Sequence, residues 1–158
     1  MANPEDQFLA VLTWMGWHIH QLNQHLSSIL ADLMTCLPAQ AHPDVAIFAA
    51  PIAPRVGVDG FCNLHRQPIA LVIDPSRVIP ADWPHLVAHE LAHAIAGTTG
   101  HGAEFHSALS HLCLAQDLPM PPTARAARDW LRYWPPCRPN PQVDQFWLGH
   151  GACYGPNP

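Results

Sequence analysis

The feature that most constrains this chain is His89-Glu90-Leu91-Ala92-His93, because two imidazoles four residues apart become a single chemical unit only on an α-helix. At that spacing both rings leave one helix face and can hold one metal ion. Glu90 stands one step round, within reach of a water beside the ion rather than of the ion itself. With 12 histidines and three glutamates in 158 residues, chance would supply only about 0.02 such matches. The flanks also suit a buried helix over 83–96. Asp82 is a good N-cap, Trp83 and Pro84 occupy the first turn, Leu86, Val87, Leu91, Ala94 and Ile95 are apolar, and Gly97 can end the helix in a left-handed conformation.

This unit points to zinc-dependent hydrolysis. Zinc lowers the pKa of water towards roughly 7, and Glu90 takes the proton as general base and passes it to the leaving amine. In a purely structural zinc site Glu90 would have no purpose. A catalytic zinc takes three protein ligands and keeps one position open. His101 is the expected third ligand, since Thr98-Thr99-Gly100 gives the chain a short turn back towards the helix. Glu104 and His106 are the alternatives, both on the next predicted helix.

The rest of the chain reads as short elements separated by breakers. Residues 4–36 carry a helical stripe of Phe8, Val11, Leu12, Met15, Ile19, Leu22, Leu26, Ile29, Leu30 and Leu33, with Gly16 a point where the helix can bend. Residues 44–50, 55–64 and 69–74 read as strands of a small antiparallel sheet. A helix over 103–117 and another from Thr123 to about Trp134 follow. Beyond Pro135 the sequence is rich in Pro, Gly and Asn and lacks periodicity, which predicts an irregular tail with local contacts through Phe146 and Trp147.

Composition excludes several classes. The chain has a net charge of −5 and no lysine, which argues against broad contact with nucleic acid or an anionic membrane. Arg125, Arg128 and Arg132 at i, i+3 and i+7 read as a solvated helix face. Cys36, Cys62, Cys113, Cys137 and Cys153 are odd in number and form no CxxC pair, so neither a disulfide framework nor a zinc ribbon is expected and a reducing compartment fits. The apolar run 8–17 follows Glu5 and Asp6 and is too short for a membrane span or a signal peptide. The expected location is the cytoplasm.

Other polar residues carry weaker signals. His18, Gln21 and His25 read as a polar stripe beside a core face, His85 as a first-turn surface residue, and His106 and His111 as exposed positions. Tyr133, Arg55 and Arg66 are the candidates to stabilise a developing oxyanion. The six tryptophans are expected in the core, and Cys62 is expected to be a buried apolar residue rather than a nucleophile.

Taken together, Arg55-Val56-Gly57, Cys62, the strand Ile69-Ala70-Leu71-Val72-Ile73-Asp74, HELAHA at 89–94 and HGAEF at 101–105 resemble the SprT-like (Spartan-type) zinc metallopeptidases over about residues 44–118. The resemblance implies His89, His93 and His101 as zinc ligands and Glu90 as catalytic acid/base. It also implies a minigluzincin-like (zincin-like) core in which the HExxH helix packs on a small sheet whose edge strand is able to bind extended peptide. With the antiparallel strands, the long N-terminal helix (4–36) and the C-terminal helix read from the residues themselves, the expected fold class is α+β, the N-terminal helix lying mostly outside the matched region. The expected organisation is one metallopeptidase domain over 1–134 and a Pro-rich irregular tail over 135–158. The expected function is zinc-dependent hydrolysis of extended or unfolded polypeptide. The alternative is a non-catalytic zinc-containing binding or regulatory module. Many SprT-like proteins carry a C-terminal zinc ribbon and a basic surface, whereas this chain is acidic with only Cys137 and Cys153 in its tail. The DNA association that the resemblance suggests is therefore disfavoured.

Overall fold

The computed structural model describes residues 3–150. Helix α1 (Pro4–Met34) starts at Asn3, whose side chain accepts from the Glu5 amide, and runs unbroken through Gly16. Its buried stripe is Trp14, His18, Leu22, Leu26, Leu30 and Leu33, a spacing of three and four that puts these side chains on one face. That face packs on β1 (Val45–Ala49) and on α2 (Trp83–Ala96). The Asn23 side chain adds a specific tie by accepting from the Ala49 amide at 2.7 Å.

The sheet has three strands in the order β1-β3-β2, with β2 spanning Gly60–Asn63 and β3 spanning Ile69–Ile73. β2 and β3 form the expected antiparallel hairpin, but β1 runs parallel to β3 in the register Ile47↔Leu71 and Ala49↔Ile73. The wholly antiparallel sheet read from the sequence is thus corrected to a mixed one. The chain between β1 and β2, containing Pro51 and Pro54, carries β2 to the far edge and leaves β3 in the middle, where it pairs with β1 in the same direction. The side chains of Ile47, Ala49, Leu71 and Ile73 are buried.

α2 is the centre of the molecule, meeting α1, both strands β2 and β3, and α3 (Ala103–Ala115). Trp83, Val87, Ala88, Leu91 and Ala92 are fully enclosed. Gly97 ends the helix with φ +66°, its amide bonded to the His93 carbonyl, as the sequence predicted. Asp82 precedes the helix but does not cap it. Its carboxylate instead accepts three bonds from Arg138, from the backbone N at 2.8 Å, Nε at 3.0 Å and a terminal nitrogen at 2.8 Å.

The C-terminal part departs most from the sequence reading. The predicted α-helix from Thr123 is a 3₁₀ helix, Arg125–Tyr133, with no side chain capping its start. Residues 137–140 then clip onto 76–79 through the Val78–Pro139 bridge, and a short α4 (Val143–Phe146) brings Phe146 and Trp147 against Trp14. Apart from α4 and that bridge, the tail forms no regular element among the described residues. Over the described residues, however, it is docked on the core rather than loosely attached, since Phe146 and Trp147 are buried and Trp147 Nε1 donates to Asp74. Trp14, Trp83 and Trp147 are core residues, whereas Trp17 and Trp130 are exposed. No helix among the described residues is long and apolar enough to cross a membrane.

Candidate metal centre

Three histidines, His89, His93 and His101, lie close enough to bind one metal ion, their ligand atoms all within 4.8 Å of one another. Helical spacing brings the first two together. The turn after Gly97 brings the third, and the same turn orients the second, because the Thr98 carbonyl accepts from His93 Nδ1 at 2.8 Å. The Trp134 carbonyl accepts from His89 Nδ1 at 2.6 Å. Both bonds fix the tautomer with the proton on Nδ1 and leave the Nε2 lone pairs for a ligand. Beside the group, Phe105 presents its ring to all three imidazoles, at centroid distances of 4.9 Å, 4.4 Å and 4.8 Å.

The donor set, three imidazole nitrogens, fits a metal ion, and zinc is among those it could hold. With Zn–N bonds near 2.0–2.1 Å, two nitrogens of a tetrahedral site stand about 3.3 Å apart, and His89 Nε2 and His101 Nε2 are 3.3 Å apart. The protonation states agree with this use. Burial pulls the His89 pKa down to about 4, and burial also lowers those of His93 and His101. All three rings are therefore neutral, the form that donates a lone pair.

The alternative ligands stand elsewhere. Glu104 is exposed in the first turn of α3, and His106 Nε2 faces the Pro122 carbonyl at 3.1 Å. His18, buried and stacked on Trp14 at 4.5 Å, and His25, packed edge-on to Trp83, serve the core; neither joins a metal-binding group among the described residues.

Glu90 is buried against the underside of β2 and lines the same cleft as the histidines, a space of about 630 Å³. Burial pushes its pKa up to about 8. Gly60 makes this packing possible: a Cβ there would stand 3.3 Å from Glu90 Cγ and 3.0 Å from the Val72 carbonyl oxygen. Cys62, on the same strand, has its pKa pushed up to about 12 by burial and by the Glu90 charge, so the thiol stays protonated and is no nucleophile at neutral pH. The four described cysteines are free; Cys153 lies outside the described residues.

Of the three oxyanion candidates, Tyr133 lines the cleft, while Arg55 and Arg66 are exposed and outside it. The residue missed from the sequence is Arg132, which also lines the cleft. The i, i+3, i+7 rule that grouped it with Arg125 and Arg128 holds for an α-helix. At three residues per turn the 3₁₀ helix puts Arg125, Arg128 and Leu131 in one row and turns Arg132 away from it. His85 is likewise at the cleft, held by Nδ1 to the Pro136 carbonyl at 2.7 Å. Compared with family models, curated proteins and solved structures, the chain matches none.

Proposed function

We propose that this chain is a zinc-dependent metallopeptidase of the SprT-like kind, acting on extended or unfolded polypeptide. One observation carries the reading: three neutral imidazoles converge on one point in a cleft that also holds a buried glutamate from the adjacent helix position. His89, His93 and His101 would hold the zinc, which when bound would supply a Lewis acid for the scissile carbonyl and lower the pKa of water towards neutrality. Burial alone keeps the Glu90 carboxyl protonated up to about pH 8, and the charge of a metal ion held by the three neutral histidines would favour its carboxylate. That carboxylate takes the proton of the attacking water and delivers it to the leaving amine.

The other parts of the cleft suit an extended chain. β2 is an edge strand of the sheet, Gly60, Phe61 and Cys62 line the cleft, and a peptide laid along the strand's outer edge pairs through its main chain. Tyr133, exposed at the same cleft, offers a hydroxyl to the developing oxyanion. An acidic chain without lysine gives no support to a DNA-directed role.

The test combines metal analysis with one substitution. The purified protein should carry about one zinc per chain, and folded His101→Ala should bind it much more weakly. Glu90→Gln should keep the zinc and the fold while cutting cleavage of an unfolded protein such as casein by about 10²–10⁴-fold. A folded protein without zinc would overturn the reading. Zinc bound with no cleavage that depends on Glu90 would leave the non-catalytic binding module instead.

A further inference from the structure

The cleft carries a charge that the proposed hydrolysis does not use. The chain has seven basic residues, all arginine. Arg77 is paired with Asp59 and Asp74, and Arg138 with Asp82. Arg132 makes no ion pair among the described residues, and its recorded neighbour is the Tyr133 ring, 5.9 Å from the guanidinium carbon. It lines the cleft together with His89, His93 and His101. Of the two carboxyl groups on the same cleft, Glu90 is withdrawn into the interior and Asp59 lies beside Arg77. Arg132 is thus the one permanent cation among the described cleft residues, in a chain with few cations to place.

Its setting decides what that charge can do. An oxyanion donor works by being held rigidly where water is excluded. Arg132 is exposed, and its guanidinium makes no hydrogen bond among the described residues, which suits capture of a charge already present on the ligand. A guanidinium meets a carboxylate through two parallel N–H···O bonds.

We propose that Arg132 anchors a carboxylate of the bound polypeptide, so that the cleft selects peptides with a negative charge close to the segment lying beside His89, His93 and His101. The carboxylate is either the free C-terminus of the peptide or an Asp or Glu side chain. Cleavage of such peptides rests on the peptidase reading; the anchoring itself does not.

Binding in the Glu90→Gln background separates the two. The probes are one neutral, N-acetylated heptapeptide in three forms: free C-terminal acid, C-terminal amide, and amide with a central Glu. Calorimetric titration is run on zinc-loaded protein and again in chelator, because zinc itself attracts carboxylates. At least one acidic form should bind about 3–10-fold more tightly than the neutral amide in both conditions. Adding Arg132→Gln should erase that preference, Arg132→Lys should keep part of it, and rising salt should weaken it. Preference for the free acid identifies a terminal carboxylate, and preference for the central Glu an internal one. No binding of any form, no preference, a preference seen only with zinc, or one that survives Arg132→Gln in folded protein overturns the proposal. Failure of the peptidase reading would show instead as missing zinc or Glu90-independent cleavage, measurements made apart from these titrations.

Discussion

Two stretches of chain hold the histidine group, and they do so by different means. The stretch from Trp83 to Phe105 works by repetition: helical spacing sets His89 and His93 on one face, Gly97 stops the helix, and a short turn returns His101. The stretch from Pro119 to His150 works by single contacts. Trp134 gives its carbonyl to His89 and its indole N–H to Pro119, Arg138 grips Asp82, and Trp147 reaches Asp74. A regular element spreads the task over many equivalent residues, whereas the second stretch concentrates it in a few. Loss of a buried contact in the C-terminal stretch should therefore have a large, localised effect, and loss of one open to solvent a smaller one.

Trp147→Ala gives the largest expected effect. The side chain is 7% exposed, packs edge-on to Trp14 and Phe146 at 5.9 Å and 5.2 Å, and donates to the buried Asp74 carboxylate. Truncating such a tryptophan costs about 3–5 kcal/mol. Urea unfolding of parent and variant measures it. A loss under about 0.5 kcal/mol, typical of a surface position, would mean that this stretch merely lies on the core.

Gly60→Ala tests the other side of the comparison, where regular elements approach closely. The added methyl would meet the Val72 carbonyl oxygen at 3.0 Å and Ile73 Cδ1 at 3.1 Å on β3, and Glu90 Cγ at 3.3 Å on α2, so β2 must shift against both neighbours. Overpacking of this kind costs about 1–3 kcal/mol. Because Glu90 lies in the same contact, cleavage should fall by about 10–100-fold, more than the stability loss alone accounts for. A variant with normal turnover would show that Glu90 is positioned without β2.

The same contrast explains what could be read in advance. Spacing rules found α2, its stop at Gly97, the strands at 45–49 and 69–73, and the three histidines that come together. They work because helix and strand periods convert sequence distance into spatial distance. They misread Asp82, whose carboxylate is taken by a partner 56 residues away rather than by the local helix start. They grouped Arg132 with Arg125 and Arg128 because nothing in RAARDWLRY distinguishes a three-residue from a 3.6-residue turn. The direction of β1 and the docking of Phe146 and Trp147 depend on how distant segments are brought together, which leaves no periodic trace in the residues themselves.

The smallest expected effect comes from the Asp82–Arg138 pair, and it is one that pH can isolate. Hydrogen bonding from Arg138, with a smaller contribution from the nearby His85 charge, holds the Asp82 pKa down to about 2, against an ordinary aspartate value of about 3.9. A carboxyl whose pKa is depressed on folding stabilises the folded state above its unfolded value and loses that contribution as pH falls through its folded value. The pair's contribution should therefore be complete above about pH 4 and fade between pH 4 and pH 2. Arg138 is largely open to solvent, its side chain 69% exposed, so screening keeps the effect modest and added salt should reduce it. Thermal unfolding of parent and Asp82→Asn, both in chelator so that metal loss does not intervene and compared as a difference so that histidine protonation common to both cancels, should show a Tm difference at pH 7 that persists to about pH 4 and closes by pH 2. A difference independent of pH would mean that the variant disturbs packing at the start of α2 rather than the charge that ties the C-terminal stretch to it.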